Sequence, residues 1–389
     1  YNFYSEGAGN ITVSDPIATG SSNIIKRDAG TLTLTGTNTF TGVTVVNGGI
    51  LSINQDRALG AVPGSTDDDN LRLNSGTLKT TASFTINTKR GIQLNASSTI
   101  NVDGSTTLTY AGIIKDQNSE NNGYTKSGSG TLALSGDSTY DGVTTISAGV
   151  ITIAHADSLG STSGATSITS GAALSISGGI TVAEPITVNG TGVSSGGAIV
   201  FTANDNTYSG AITLGSTSTI VSTGGAQTIS GAVNGGYRLT ITANGNLIIS
   251  GAVGGSTDLS SYAVTTTNSS SQTFSANVET TGNQTYTAAG GIVTSGARTF
   301  DSSGGTVNFA SALSGNNNVT VTGNADIDGA ITDIAVLSIS GTSNIGADIT
   351  TSGTQTYTGA VLSADVTLTS SDDVITFSST INSDGTARD

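Results

Sequence analysis

An all-β fold wound as a β-solenoid of roughly 20 coils is what this chain of 389 residues predicts. Three observations carry that expectation: a long internal repeat, strict two-residue alternation inside it, and a composition hostile to helix. The stretch from Lys26 to Ile53, KRDAGTLTLTGTNTFTGVTVVNGGILSI, returns 100 residues later, from Lys126 to Ile153, as KSGSGTLALSGDSTYDGVTTISAGVITI. Such repetition is the signature of stacking, because one copy cannot bury its apolar face alone.

Within the first copy Leu32 and Leu34 alternate with Thr31, Thr33 and Thr35, and within the second Leu132 and Leu134 alternate with Thr131, Ala133 and Ser135. A period of two is the pattern of strands. Gly36 and Gly136, Gly42 and Gly142, and Gly49 and Gly149 bound these runs. They are read as sharp corners that need glycine's backbone freedom. The composition agrees: Gly 54 with abundant Ser, Thr, Val and Ile makes poor helix, since glycine costs about 1 kcal/mol there relative to alanine. A hydrophobic fraction of 35% with 5% aromatics is too little for a thick round core, yet enough for a solenoid, where each coil buries a few aliphatics against its neighbours. Low charge and regular alternation argue against disorder.

Coil length is read from a second formula. Ser209-Gly210-Ala211-Ile212, Ser230-Gly231-Ala232-Val233 and Ser250-Gly251-Ala252-Val253 begin 21 and then 20 residues apart, with echoes at Asp328-Gly329-Ala330-Ile331 and Thr358-Gly359-Ala360-Val361. Coils of roughly 20 residues spaced by about 4.8 Å would form a rod on the order of 90 Å long. The expected organisation is an N-terminal capping or donor segment over 1–25, a solenoid with the long repeats over 26–200, and a solenoid with shorter coils over 201–389.

The run from Gly30 to Gly42, its partner from Gly130 to Gly142, and the trailing Ala58-Leu59-Gly60 and Ser158-Leu159-Gly160 resemble the passenger-associated repeats of bacterial autotransporters. The later Gln-Thr-aromatic and Ala-Asp-aliphatic formulas resemble filamentous-haemagglutinin-type surface proteins. Both resemblances imply right-handed parallel β-helices displayed outside the cell.

Absence of Met together with Tyr at position 1 is explained by a cleaved signal segment, a cleaved larger precursor or a fragment boundary, and with the resemblance an exported, proteolytically processed protein of the bacterial cell surface is expected. Cys 0 excludes disulfides and thiolate metal sites. No apolar run is long enough to span a bilayer. Lys+Arg 12 against Asp+Glu 27, with pI ≈ 4.1, disfavours nucleic acid and anionic membrane as partners. With a charged fraction of only 10%, the outer faces must be Ser, Thr, Asn and Gly, suited to hydrogen-bonding glycans, other coils or water.

Candidate sites are few. His155 beside Asp157 and Ser158 suggests a general base, but sequence neighbours do not make a triad, and His155 stands where the first copy has Gln55, in a solvent-facing turn. Asp326, Asp348 and Asp365 share an Ala-Asp-aliphatic slot; stacked in register, they would form a ladder able to recruit calcium, although Asn277 fills the same slot. No other cofactor is implied. Asp67, Asp68 and Asp69 read as a solvated loop leaving the coil. Tyr1, Phe3 and Tyr4 read as a cap over the first coil, or as a donor strand for end-to-end self-association into filaments. Gln272-Thr273-Phe274, Gln284-Thr285-Tyr286 and Gln355-Thr356-Tyr357 read as structural ladders rather than a glycan-binding strip. Two function classes follow. The first is a non-enzymatic extracellular structural protein, serving as filament or matrix subunit or adhesin stalk. The second is a β-helical polysaccharide lyase or glycoside hydrolase, which would need converging carboxylates flanked by Arg or Lys.

Overall fold

The computed structural model describes residues 2–117 and 120–386. These residues form parallel strands stacked as a β-solenoid of about 18 turns, with two short 3-10 turns at Asp56–Leu59 and Val193–Ser195. The chain divides into two compact units, residues 1–199 and 200–389.

In the first unit the strands stack in three columns. One runs through Phe3–Ser5, Ile24–Lys26, Thr44–Val46, Asp67–Leu73, Arg90–Leu94 and Ile114–Asp116. A second runs from Ile11–Val13 through Thr31–Leu34, Ile50–Ile53, Thr77–Thr80, Ser98–Val102, Tyr124–Ser127, Thr144–Ile146 and Thr166–Ile168 to Ile186–Gly190. The third holds Phe84–Ile86, Thr107–Tyr110, Thr131–Leu134, Val150–Ile153 and Ala173–Ile176. Alternation sets the inward face as expected: Leu32 and Leu34 are buried between half-buried threonines.

Each long repeat stacks on itself, Thr31–Leu34 on Ile50–Ile53 and Thr131–Leu134 on Val150–Ile153. The two copies do not occupy the same column, however. Ile24–Lys26 lies in the first and its counterpart Tyr124–Ser127 in the second. The cause is uneven winding: Leu71 pairs with Thr44 across 27 residues, and Lys126 with Ile100 across 26. The spacing of 100 residues is therefore no whole number of coils, and the second copy is turned by one face. The same long windings explain why about 18 turns are found where roughly 20 were expected.

The corner glycines act differently from the expectation. Only Gly49 and Gly149 of the six have positive φ, at 59° and 67°. At Gly36 a Cβ would sit 2.7 Å from the Ser14 carbonyl oxygen, and at Gly136 it would run into the Gly112 carbonyl. At the other four, glycine is needed because the preceding coil's backbone occupies the place of a side chain.

In the second unit one column runs through Thr207–Tyr208, Gln227–Ile229, Leu247–Ile249, Gln272–Phe274, Ile292–Thr294, Leu313–Ser314, Ile331–Ile334, Ile349–Thr351 and Leu368–Ser370. The others align Ile241, Val264, Tyr286, Phe309, Ile327, Ile345 and Leu362, and Val278, Phe300, Val321, Ile339, Tyr357 and Phe377. Phe274, Tyr286 and Phe300 meet in the interior from three different columns, with ring centroids 5.1 to 5.7 Å apart in edge-on geometry. Such contacts add to burial itself.

The Gln-Thr-aromatic formula has a definite mechanism. Residues two apart on a strand point the same way, so Gln284 and Tyr286 both enter the core, and the Tyr286 hydroxyl donates to Gln284 Oε1 at 2.8 Å. Gln284 Nε2 then donates to the Asp301 carbonyl at 2.6 Å, tying down a corner of the next coil. Gln355 and Tyr357 repeat the arrangement with the Thr369 carbonyl at 2.7 Å. Where the aromatic is Phe274, Gln272 Oε1 is buried without a hydrogen-bond partner among the described residues. Phe274→Tyr is therefore expected to stabilise the chain by about 1 kcal/mol, and Tyr286→Phe to cost about 1–3 kcal/mol, as measured by chemical denaturation. Destabilisation by Phe274→Tyr would show that the ring's para position has no room.

Candidate functional site

The register separates the three aspartates expected to share a slot. Asp326 pairs with Asn308 on one side and Asn344 on the other, and its carboxylate accepts from both amides, at 2.6 and 2.7 Å. Asp348 precedes Ile349–Thr351 in a different column and accepts from the Thr367 backbone N–H at 2.8 Å. Asp365 lies just before Leu368–Ser370, two residues from the position opposite Asp348. One face therefore carries an Asn-Asp-Asn ladder in place of a line of carboxylates. Asn308 Nδ2 also donates to Asp328, at 2.9 Å.

Two shallow hollows flank strands of the second unit. One, of about 330 Å³, is lined by Thr306, Asn324, Asp326, Thr342 and Asn344 together with Ala325 and Val361; the other, of about 280 Å³, is lined by Arg238, Ser261, Tyr262, Ala263, Asn283 and Thr285. The first offers a single carboxylate and no cation, and the second a cation and no carboxylate. Neither lining meets the acid-pair-plus-cation requirement set for a polysaccharide-active enzyme. Their amide and hydroxyl surface is suited to hydrogen-bonding a sugar or water.

Asp67, Asp68 and Asp69 do not form a loop. They open the strand Asp67–Leu73, and each is engaged: Asp69 with Arg72 at 2.6 Å, Asp68 with Lys115 at 3.4 Å, and Asp67 with the Asn70 amide at 3.1 Å. Asn70 and Arg72 on the same strand and Lys115 two coils along make an acidic strand tolerable, and the last of these is invisible in the local pattern.

Tyr1 lies outside the described residues. Phe3 and Tyr4 belong to Phe3–Ser5, which pairs with Ile24–Lys26, so residues of the 1–25 segment are wound into the solenoid. Tyr4 is exposed, with the Arg27 guanidinium 4.5 Å from its ring centroid. His155 stands in the turn after Val150–Ile153, half-buried, with Nδ1 accepting from the Asp157 backbone N–H at 3.2 Å. Ser158 is buried and donates to the Gly136 carbonyl at 3.2 Å, so it is no nucleophile for His155.

Three buried cations went unread. Arg90 is wholly enclosed and clamps Asp56, Asn70 and the carbonyls of Leu59 and Gly60. Lys26 and Lys126, the first residues of the two repeats, point inward and cap turn carbonyls. Lys126 Nζ reaches Ser127, Gly128 and Ala148 at 3.0, 2.8 and 3.1 Å, and Lys26 Nζ reaches Arg27 and Asp28. Burial pushes the Lys126 ammonium down to about 8, and lowers Lys26 against the opposing pull of Asp28. The signal was present: Lys26 follows Ile24, and Lys126 follows Tyr124, at the inward spacing of two.

The chain is thus a parallel β-solenoid protein in which each long strand-and-turn copy stacks on itself. Those copies are similar to autotransporter passenger repeats: the passenger-associated-transport-repeat family matches residues 24–53 and 125–153. Over 151 residues the chain is 38% identical to the adhesin BmaC autotransporter of Brucella suis biovar 1 (strain 1330), a match covering 39% of this chain and 4% of that protein. The chain therefore corresponds to a small part of the relative's length. No solved structure matches it. Among the described residues no helix is long and apolar enough to cross a membrane.

Proposed function

We propose that this chain is a stalk segment of an exported, cell-surface adhesin of the autotransporter type, acting without enzymatic activity of its own. The observation that carries the reading is that both passenger-type repeats fold as self-stacked solenoid coils, and the similarity to a protein named as an adhesin supports it. A solenoid suits the role because each coil touches only its neighbours, so length is added without a larger core. The polar exterior and acidic charge favour contacts with glycans or other surface molecules over nucleic acid. Self-association into filaments is the finer alternative, since parallel coils of this kind can stack through unpaired strand edges on a second copy.

The reading is tested by fusing the chain between an export signal and a membrane translocator in a Gram-negative host and labelling intact cells with antibody. Labelling without permeabilisation, together with isolated particles of the purified chain in negative-stain micrographs, is the expected result. Absence of surface label would overturn it. Fibres would replace the stalk by the filament, and release of sugars from a polysaccharide panel would replace it by the enzyme.

A further inference from the structure

We propose that Asp137, His155 and Asp157 form a binding site for a divalent transition metal of the zinc class on the second passenger repeat. The three offer ligand atoms that all lie within 4.8 Å of one another. Donors around a tetrahedral zinc at about 2.1 Å sit roughly 3.4 Å apart, so modest rotation of half-buried and exposed side chains closes the set.

The backbone beneath these side chains is already held. Asp137 comes from one coil, and His155 and Asp157 from the next. The coils are joined beside the site by Ser138 N–H to the Asp157 carbonyl at 3.1 Å and by the Ser158 hydroxyl to the Gly136 carbonyl at 3.2 Å. Within the turn, Ser158 N–H donates to the His155 carbonyl at 3.3 Å, and Gly160 N–H to that of Asp157 at 3.1 Å. His155 Nδ1 is an acceptor and lies 3.9 Å from Asp157 Oδ2, so its lone pair is on the side of the carboxylate. A metal there exchanges the 3.2 Å bond from the Asp157 N–H for coordination, leaving Nε2 its proton. One imidazole and two carboxylates are a borderline-to-hard donor set, which suits Zn²⁺, Co²⁺ or Mn²⁺ with water in the remaining positions.

The first repeat supplies an internal comparison. Its turn has the same backbone bonds, Asn38 N–H to the Arg57 carbonyl at 3.0 Å and Ala58 N–H to that of Gln55 at 3.2 Å. The aligned side chains there are Thr37, Gln55 and Arg57. One copy thus carries a cation where the other gathers two carboxylates and the chain's only histidine, and the fold demands neither set.

Because the chain has one histidine, its imidazole proton resonances are assigned without further work. Titrating the chain with ZnCl₂ is expected to shift or broaden them saturably, with Co²⁺ giving a visible absorption band. His155→Gln and Asp137→Thr, each taken from the first repeat and so compatible with the turn, are expected to weaken zinc binding in calorimetry at least tenfold, with unchanged circular dichroism. An imidazole unmoved by millimolar Zn²⁺ would overturn the site. So would zinc affinity unaltered by both substitutions, which would place the metal on other carboxylates, or an imidazole response indifferent to Asp137→Thr, which would reduce the site to a lone histidine. The proposal does not depend on the stalk reading, since surface display and metal titration succeed or fail separately.

Discussion

Arg90→Ala is expected to lower the stability of the first unit by about 3–5 kcal/mol, the cost of breaking a buried ion pair from one side. The guanidinium is fully enclosed and spends its donors on Asp56 Oδ1 at 2.9 Å, Asn70 Oδ1 at 2.9 Å, and the carbonyls of Leu59 and Gly60 at 3.1 and 2.6 Å. Removal leaves a carboxylate, an amide and two carbonyls without the donor that satisfied them. It also releases the 3-10 turn Asp56–Leu59 from the strand Arg90–Leu94. Arg90→Lys keeps the charge but not the planar fork, and one ammonium cannot reach the same spread of acceptors. It is expected to recover less than half of the loss.

Arg27 supplies the control. Its pair with Glu6 at 2.9 Å has both side chains about half exposed, so Arg27→Ala is expected to cost no more than about 1 kcal/mol. Denaturant titrations of the three variants decide the matter. Equal effects at Arg90 and Arg27 would show that enclosure adds nothing to the contact. A double substitution with Asp56→Asn is expected to show a coupling of about 1–3 kcal/mol, since the two side chains share one network.

Why Arg90 was not legible while Leu32 and Leu34 were has a plain cause. Alternation is a property of neighbouring residues, and it survives folding because each coil repeats it; the inward leucines, the Gln-Thr-aromatic ladders and the Ser-Gly-Ala pitch all belong to this class. Arg90 is defined by groups 20 to 34 residues away, whose proximity depends on how many residues each preceding corner consumes. The same dependence turned the second repeat by one face, through the 27-residue winding from Thr44 to Leu71, and set Asn308 and Asn344 rather than further aspartates against Asp326. Asp67 to Asp69 looked like a loop because they follow the turn residues Pro63-Gly64, yet they open a strand with Arg72 and Lys115 as partners. The cluster of Asp137, His155 and Asp157 lay in view as residue types, but only the pairing of Ser138 with Asp157 brings the first to the other two.

Gly231→Ala is expected to cost about 3 kcal/mol or more, above the usual penalty for overfilling a core, because the obstacle is backbone rather than a side chain that can move aside. A Cβ at Gly231 would run into the Gly210 carbonyl, and one at Gly251 into that of Gly231. The Ser-Gly-Ala formulas thus form a column in which each carbonyl nests over the next glycine. Coil spacing there is held by Ser230 N–H to the Tyr208 carbonyl at 2.9 Å, Ile212 N–H to that of Ala232 at 2.8 Å, and Val233 N–H to that of Ala252 at 2.9 Å. Making room for a methyl group lengthens or breaks these bonds on both sides. Gly224 is the matched comparison: its φ is not positive and nothing lies within 4 Å of the place its Cβ would take. Gly224→Ala is expected to be neutral, or to stabilise by about 0.4–1 kcal/mol by narrowing the unfolded ensemble. Amide hydrogen exchange separates the mechanisms, since Gly231→Ala should raise exchange at Ile212 and Val233 while Gly224→Ala leaves both protected. Equal stability and equal protection in the two variants would mean that ladder spacing is set elsewhere, and the recurrence of glycine at that pitch would then need another cause.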